Sequence, residues 1–281
     1  AQQLLKERQT GQYRWQRATI LDKLQWDVFR WYYRKLKPHF STFFLNSTAH
    51  FQHMYWRNME PTRFQVQPSA DEQAEYKNAV LYGYQEMDKL VGKFLQLADS
   101  QTTLILCTGL SQQPCFTYED IGGKHLYRPR RFEELLTFAG VTSSYVCSPV
   151  MAEEFFIRFD NEQDACVAEQ RLALLRVGQR SVMRLKRQGS EIYASCGIFD
   201  RLAENAVLRV ADSEVSIPFF KVFYQIEDIK SGMHHPDGIL WIRKPTLNHA
   251  VHLDNVSLLS ITPTILNILG VTTIAKVNQL V

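Results

Sequence analysis

The 281-residue chain lacks most of the features that mark specialised classes of protein. No run of about 18 consecutive apolar residues occurs, so no membrane-spanning helix is expected. Neither sign of charge is in excess. The 32 Lys and Arg against 29 Asp and Glu leave a net charge of +3, too little to point to a nucleic-acid partner. Cysteine is sparse. Cys107, Cys115, Cys147, Cys166 and Cys196 include no Cys-x-x-Cys pair, which excludes a zinc knuckle and predicts unpaired thiols of a reducing compartment. The opening stretch AQQLLKERQTGQYRW has no apolar signal core. The expected compartment is therefore the cytoplasm, and the Asn-x-Ser/Thr triplets at Asn46 and Asn255 are read as chance. Internal repeats and low-complexity segments are absent as well.

What is present is a succession of buried-strand and amphipathic-helix patterns. Ile20, Leu24, Val28, Tyr32 and Leu36 recur every four residues and predict a helix over 16–36 that ends at Lys37-Pro38. FSTFFLNS (40–47) reads as a buried strand. Ser69 and Glu72 form a capping box before a helix whose apolar face is Tyr76, Val80, Tyr84, Met87, Val91, Phe94 and Ala98. TTLILCTG (102–109) reads as a second buried strand, and a helix near 131–139 ends at Gly140. EEFFIRF, NEQDACVAEQRLALLRV and SVMRLKRQGSEIYASCGIF then predict a β-α-β-β insert of ferredoxin-like size. GILWI is a further buried strand. SITPTILNILGV is a helix with Thr262 as N-cap, Pro263 at the first position and Gly270 as C-cap. Buried strands alternating with helices indicate an α/β fold with a mostly parallel sheet flanked by helices. The expected parts are a core from 1–140 and 205–281, with the insert at 141–204.

In such sheets ligands collect at the carboxyl ends of strands. Three places qualify. Asn46, His50 and His53 share one helical face by their spacing, and imidazoles there could begin a metal site. They could equally cap the helix or pack beside Phe51, Tyr55 and Trp56. Thr108 and Ser111 offer hydroxyls without a visible base, which is commoner in turns than in nucleophiles. His234 and His235 precede a Pro236-Asp237-Gly238 turn and either bind or merely cap it.

GMHHPDGILWI followed by SITPTILNILGV resembles the C-terminal signature of the alkaline phosphatase superfamily, in particular its type I phosphodiesterase and nucleotide pyrophosphatase branch. The resemblance covers roughly 16–110 and 228–271. It implies an alkaline-phosphatase-like core and two-metal hydrolysis of phosphate esters. It also implies metal ligands at Asn46, where members carry Asp, and at His50 and His234. The Ser-Asp-His-Gly of members falls on Thr108, Gly109, Leu110 and Ser111, and the Asp before their Pro-Thr helix falls on Ser260, so those ligands are lost. Nothing upstream of residue 16 matches the members' nucleophile unit.

The resemblance therefore implies a degenerate, metal-poor site. His50 and His234 would hold at most one divalent cation such as zinc or manganese, with Asn46, His53, Thr108 and His235 around it. The expected ligand is a phosphate-containing or other anionic small molecule. Weak or altered hydrolysis is one outcome. The others are a binding or regulatory protein that kept the fold, and a C-terminal portion completed by an N-terminal region.

Overall fold

Helix α1, Ala18–Leu36, is apolar on both sides, and the side it buries is not the one with the clearest period. Thr19, Asp22 and Trp26 face inward, whereas Leu24, Val28, Tyr32 and Leu36 of the predicted face are exposed. Helices apolar all round are ordinarily covered all round. The helix stops where Lys37 turns left-handed (φ 47°) and its N–H bonds to the Tyr33 carbonyl, with Pro38 blocking continuation. This computed structural model describes residues 4, 5, 7, 8, 13–211, 213–226, 230–252 and 254–271. They form two units, one of residues 1–59, 68–114 and 232–281 and one of 60–67 and 115–231.

In the first unit α1 is followed by α2, Ser47–Met59, α3, Ala70–Tyr76, and α4, Ala79–Leu97. The Ser69–Glu72 capping box forms, but it opens the short α3, and the chain breaks at 77–78 before α4. Trp26 and Phe29 of α1 meet Phe94 of α4 at ring separations of 4.8 and 5.4 Å. Phe51, Tyr55, Ala79 and Val80 form a small core between α2 and α4. Gly83 lets the helices touch there, because a Cβ would stand 2.5 Å from the Phe51 ring. The buried strand expected at 40–46 does not form: the segment has no regular secondary structure, joins no ladder and is largely exposed. Strands β1, Leu104–Thr108, and β2, Ser111–Pro114, end this part.

The second unit contains β3, Tyr127–Pro129; α5, Phe132–Phe138; β4, Tyr145–Pro149; β5, Phe155–Phe159; α6, Glu162–Ala173; β6, Leu175–Val177; β7, Arg180–Ser181; β8, Met183–Gln188; β9, Glu191–Cys196; β10, Val207–Val210; β11, Ser216–Pro218; α7, Phe219–Val222; and β12, Phe223–Gln225. Its main sheet has the antiparallel order β4-β5-β9-β8, and a second sheet has the order β11-β10-β6-β7. Alternation along FFIRF puts Phe155, Ile157 and Phe159 in the core, where Ala165, Ala168 and Leu172 of α6 are also buried. Asn161 caps α6 by accepting from the Asp164 N–H at 2.9 Å. Residues 60–67 are clipped to this unit by Glu119, whose buried carboxylate accepts from the Gln65 and Val66 N–H groups at 2.8 and 2.9 Å. The predicted insert at 141–204 lies inside this unit.

The chain then returns to the first unit with β13, Gly232–His235, β14, Ile239–Arg243, and α8, Ile261–Ile268. Helix α8 starts one residue before Thr262, its Pro263 is buried in the first turn, and Gly270 (φ 72°) provides the left-handed end. β1 pairs with β14 and β2 with β13, both antiparallel.

The mostly parallel, alkaline-phosphatase-like sheet expected from the sequence is therefore incorrect. Among the described residues every ladder is antiparallel, and the sheets have two to four strands. The physical reason is that LILC and ILWI read as doubly covered strands, and covering does not specify direction. The five cysteines are free, as expected.

Candidate functional site

β1–β2 and β13–β14 form one long antiparallel ribbon with a break. Thr108 lies opposite Ile239 and Ser111 opposite His235, so the returning strand carries one residue more than its partner across the break. That extra residue is accommodated at Pro236-Asp237-Gly238, as in a β-bulge. Gly238 sits so close to β1 that a Cβ there would overlap the Thr108 carbonyl oxygen. The Thr108 hydroxyl accepts from the Ile239 N–H at 3.0 Å. Thr108 is thereby committed to holding the bulge.

His235 closes the same turn. Its Nδ1 accepts from the Asp237 N–H at 3.2 Å and lies 4.0 Å from the Asp237 carboxylate. The capping role that the sequence left open for the pair thus belongs to His235. His234 alternates to the other side and is exposed. Its carbonyl accepts from the Gln113 side-chain amide at 2.9 Å.

Helix α2 crosses β13 at Gly232, where a Cβ would overlap the Gln52 carbonyl oxygen and stand 3.1 Å from the His53 Cα. Close contact of backbones is what the glycine permits. There the His53 ring bonds through Nδ1 to the Gly232 carbonyl at 2.8 Å and through Nε2 to the Gln112 amide nitrogen at 3.3 Å. A carbonyl only accepts, so Nδ1 carries the proton and Nε2 takes the amide hydrogen. The His234 ring stands edge-on to His53, 5.0 Å between centroids. Gln112 Oε1 is buried and, among the described residues, has no hydrogen-bond partner.

The imidazole that meets His234 is thus that of His53. His50, one turn earlier on α2, is exposed with its ring 5.8 Å from Phe51, and its N–H bonds to the carbonyl of the exposed Asn46 just before the helix. With both ring nitrogens engaged, His53 can ligate a metal only by giving up a hydrogen bond. Among the described residues no three His, Cys, Asp or Glu side chains gather as a metal site requires. Sequence reasoning missed Gln112 and the role of Gly232. The signals were a glycine inside a strand pattern and an amide pair in the facing strand.

Chemically, the corner offers one solvent-facing imidazole, His234, beside one locked imidazole, His53, and one unpaired carbonyl acceptor, Gln112. Among the described residues no helix is long and apolar enough to cross a membrane. No family model, curated protein or solved structure matches the chain.

Proposed function

We propose that the chain is related to the phosphodiesterase and nucleotide pyrophosphatase branch of the alkaline phosphatase superfamily. In this reading it binds a phosphate-containing or other small anion at the His53–His234–Gln112 corner without the two-metal reaction. The observation that carries the reading is the double engagement of His53, which leaves His234 as the exposed imidazole beside it. An imidazole edge donates to a phosphoryl oxygen, and His234 is the imidazole of the corner that solvent reaches. The commitment of the Thr108 hydroxyl to the Ile239 N–H argues against a nucleophile there.

The experiment is a titration with inorganic phosphate followed through the histidine ring resonances, run beside an assay of a phosphodiester substrate with zinc or manganese added. Phosphate should shift the His234 signals, and His234→Ala should remove binding while the fold stays intact. Metal-dependent turnover that disappears in His234→Ala would overturn the reading in favour of a divergent hydrolase.

A second reading has its own observation. The first unit exposes Leu24, Val28, Trp31, Tyr32 and Leu36 on α1, and Ile239 and Trp241 on β14. Both faces of the β1–β14 ribbon are apolar, and among the described residues each strand pairs on one edge only. These surfaces support a unit completed by further polypeptide. Purified chain that is monomeric and binds no apolar dye would count against this reading.

A further inference from the structure

Helix α1 has a second apolar side that the first unit leaves bare. Its buried side is Thr19, Asp22 and Trp26, with Phe29 beside them against Phe94. Roughly a third of a turn round the helix, Leu21, Leu24, Val28, Trp31, Tyr32 and Leu36 are each 49–64% exposed. Leu24, Val28, Trp31 and Lys35 follow one another at intervals of four, three and four, the spacing of a helix that packs lengthwise against another helix. Lys35 belongs to this stripe through its stem, since its Nζ lies over the Trp31 ring at 4.7 Å.

The charges on the margin of the stripe identify what covers it. Asp27 and Arg34 stand seven residues apart on the same margin and are exposed. Neither has an ion-pair or hydrogen-bond partner among the described residues. Lys23, further round the helix, is taken up by Glu86 at 2.8 Å. When a second α1 lies antiparallel with its Trp31 opposite Val28, Asp27 of each helix meets Arg34 of the other. Two ion pairs then bracket the twofold axis, and Leu24 rests on the Lys35 stem of the second copy. Sliding the helices by one heptad sets Asp27 against Asp27, and a parallel pair sets Lys35 against Lys35. The stripe is thus complementary to itself in one register, as the isologous contact of a twofold dimer requires.

We propose that α1 pairs antiparallel with α1 of a second copy of this chain, in the register that joins Asp27 to Arg34. The inference rests on the reading of α1 as a surface that further polypeptide covers, and it names that polypeptide. Six side chains, Leu24, Gln25, Val28, Trp31, Tyr32 and Lys35, leave water in this contact. At roughly 100 Å² each they bury about 600 Å² per copy and about 1,200 Å² in all, the low end for a specific interface. Trp31 is the central anchor, and the exposed ion pairs set register more than affinity.

The test is sedimentation of the full chain over about 1–100 μM, where interfaces of this size associate. A dimer is expected, alone or in equilibrium with monomer at the dilute end. Trp31→Glu should weaken it at least about thirtyfold, the loss that removal of a central tryptophan commonly brings. Asp27→Arg should weaken it about tenfold, because both ion pairs turn to repulsion. Asp27→Arg combined with Arg34→Asp should restore it, which no other register or partner predicts. All three positions are exposed, and circular dichroism of each variant checks that the helix is intact. A dimer indifferent to Trp31→Glu, or one that the double exchange fails to restore, would overturn the proposal. A chain that stays monomeric throughout would do so as well. Apolar-dye binding then separates the two failures. A monomer whose dye binding falls in Trp31→Glu gives α1 to a different polypeptide and keeps the underlying reading, whereas a monomer that binds no dye removes both.

Discussion

Substituting Gly232 by Ala tests whether α2 and β13 touch backbone to backbone. The added Cβ would overlap the Gln52 carbonyl oxygen and sit 2.8 Å from the carbonyl carbon. Neither atom can swing away as a side chain would, so the helix or the strand must move. Forcing one methyl into a packed contact costs about 1–3 kcal/mol. Displacing α2 also loses the His53–Gly232 bond, about 0.5–1.5 kcal/mol. Together the expected loss is about 2–4 kcal/mol, or about 1–2 M in a urea midpoint for an m-value near 2 kcal/mol/M. The five tryptophans, Trp15, Trp26, Trp31, Trp56 and Trp241, all lie in the first unit, so tryptophan fluorescence isolates its transition. Gly92→Ala is the control. Gly92 lies within α4 with nothing within 4 Å of its would-be Cβ, and alanine there should stabilise by about 0.5–1 kcal/mol. If Gly232→Ala leaves the midpoint where it was, α2 does not rest on β13 and the corner as described does not exist.

The second unit should weaken in mild acid through His125. Burial, with Arg201 adding to it, holds the imidazole below its ordinary value of 6.5. The neutral form is thus favoured on folding, and this contribution is complete above about pH 6.5 and lost as pH falls through the folded-state value. A ring titration by NMR should place His125 below 6.5, and His125→Gln should flatten the acid dependence of unfolding. Titration above 6.5 would contradict it. The thiols should separate by burial. Cys107 is exposed and should react first, while burial pushes Cys147 and Cys196 up to about 12 and should leave them inert in the native protein. All five should react once the protein is denatured, and a total of three or one would disprove the unpaired state.

Local structure was legible where one side of an element is wet and the other dry. FFIRF alternates with period two and forms β5 as read, and the α6 segment appears with its Asn161 cap. Helix α1 shows the limit of the same reasoning. With apolar residues on both sides, period alone selected Leu24, Val28 and Tyr32, whereas packing selected Trp26 and Phe29. Strand direction was illegible for a different reason. LILC and ILWI are apolar on both faces, which does not distinguish direction, and the strands they form pair antiparallel and are not fully buried.

The site was legible in its parts and not in its pairings. Spacing put His50 and His53 on one helical face, but only the crossing at Gly232 decides that His53 reaches the ribbon. The alternation of His234 and His235 was readable from an extended backbone. Which of them caps the turn was not, because it depends on the bulge that Gly238 and Thr108 build.

The central claim is that His53 is a locked structural imidazole and His234 the one that meets ligand. Imidazole nitrogen NMR on the full chain tests it most directly, with inorganic phosphate and then zinc added. The account predicts that His53 keeps its proton on Nδ1, bonded to the Gly232 carbonyl, and is unmoved by phosphate, while His234 shifts. Stoichiometric zinc uptake that moves the ring nitrogens of both His53 and His234 would contradict it.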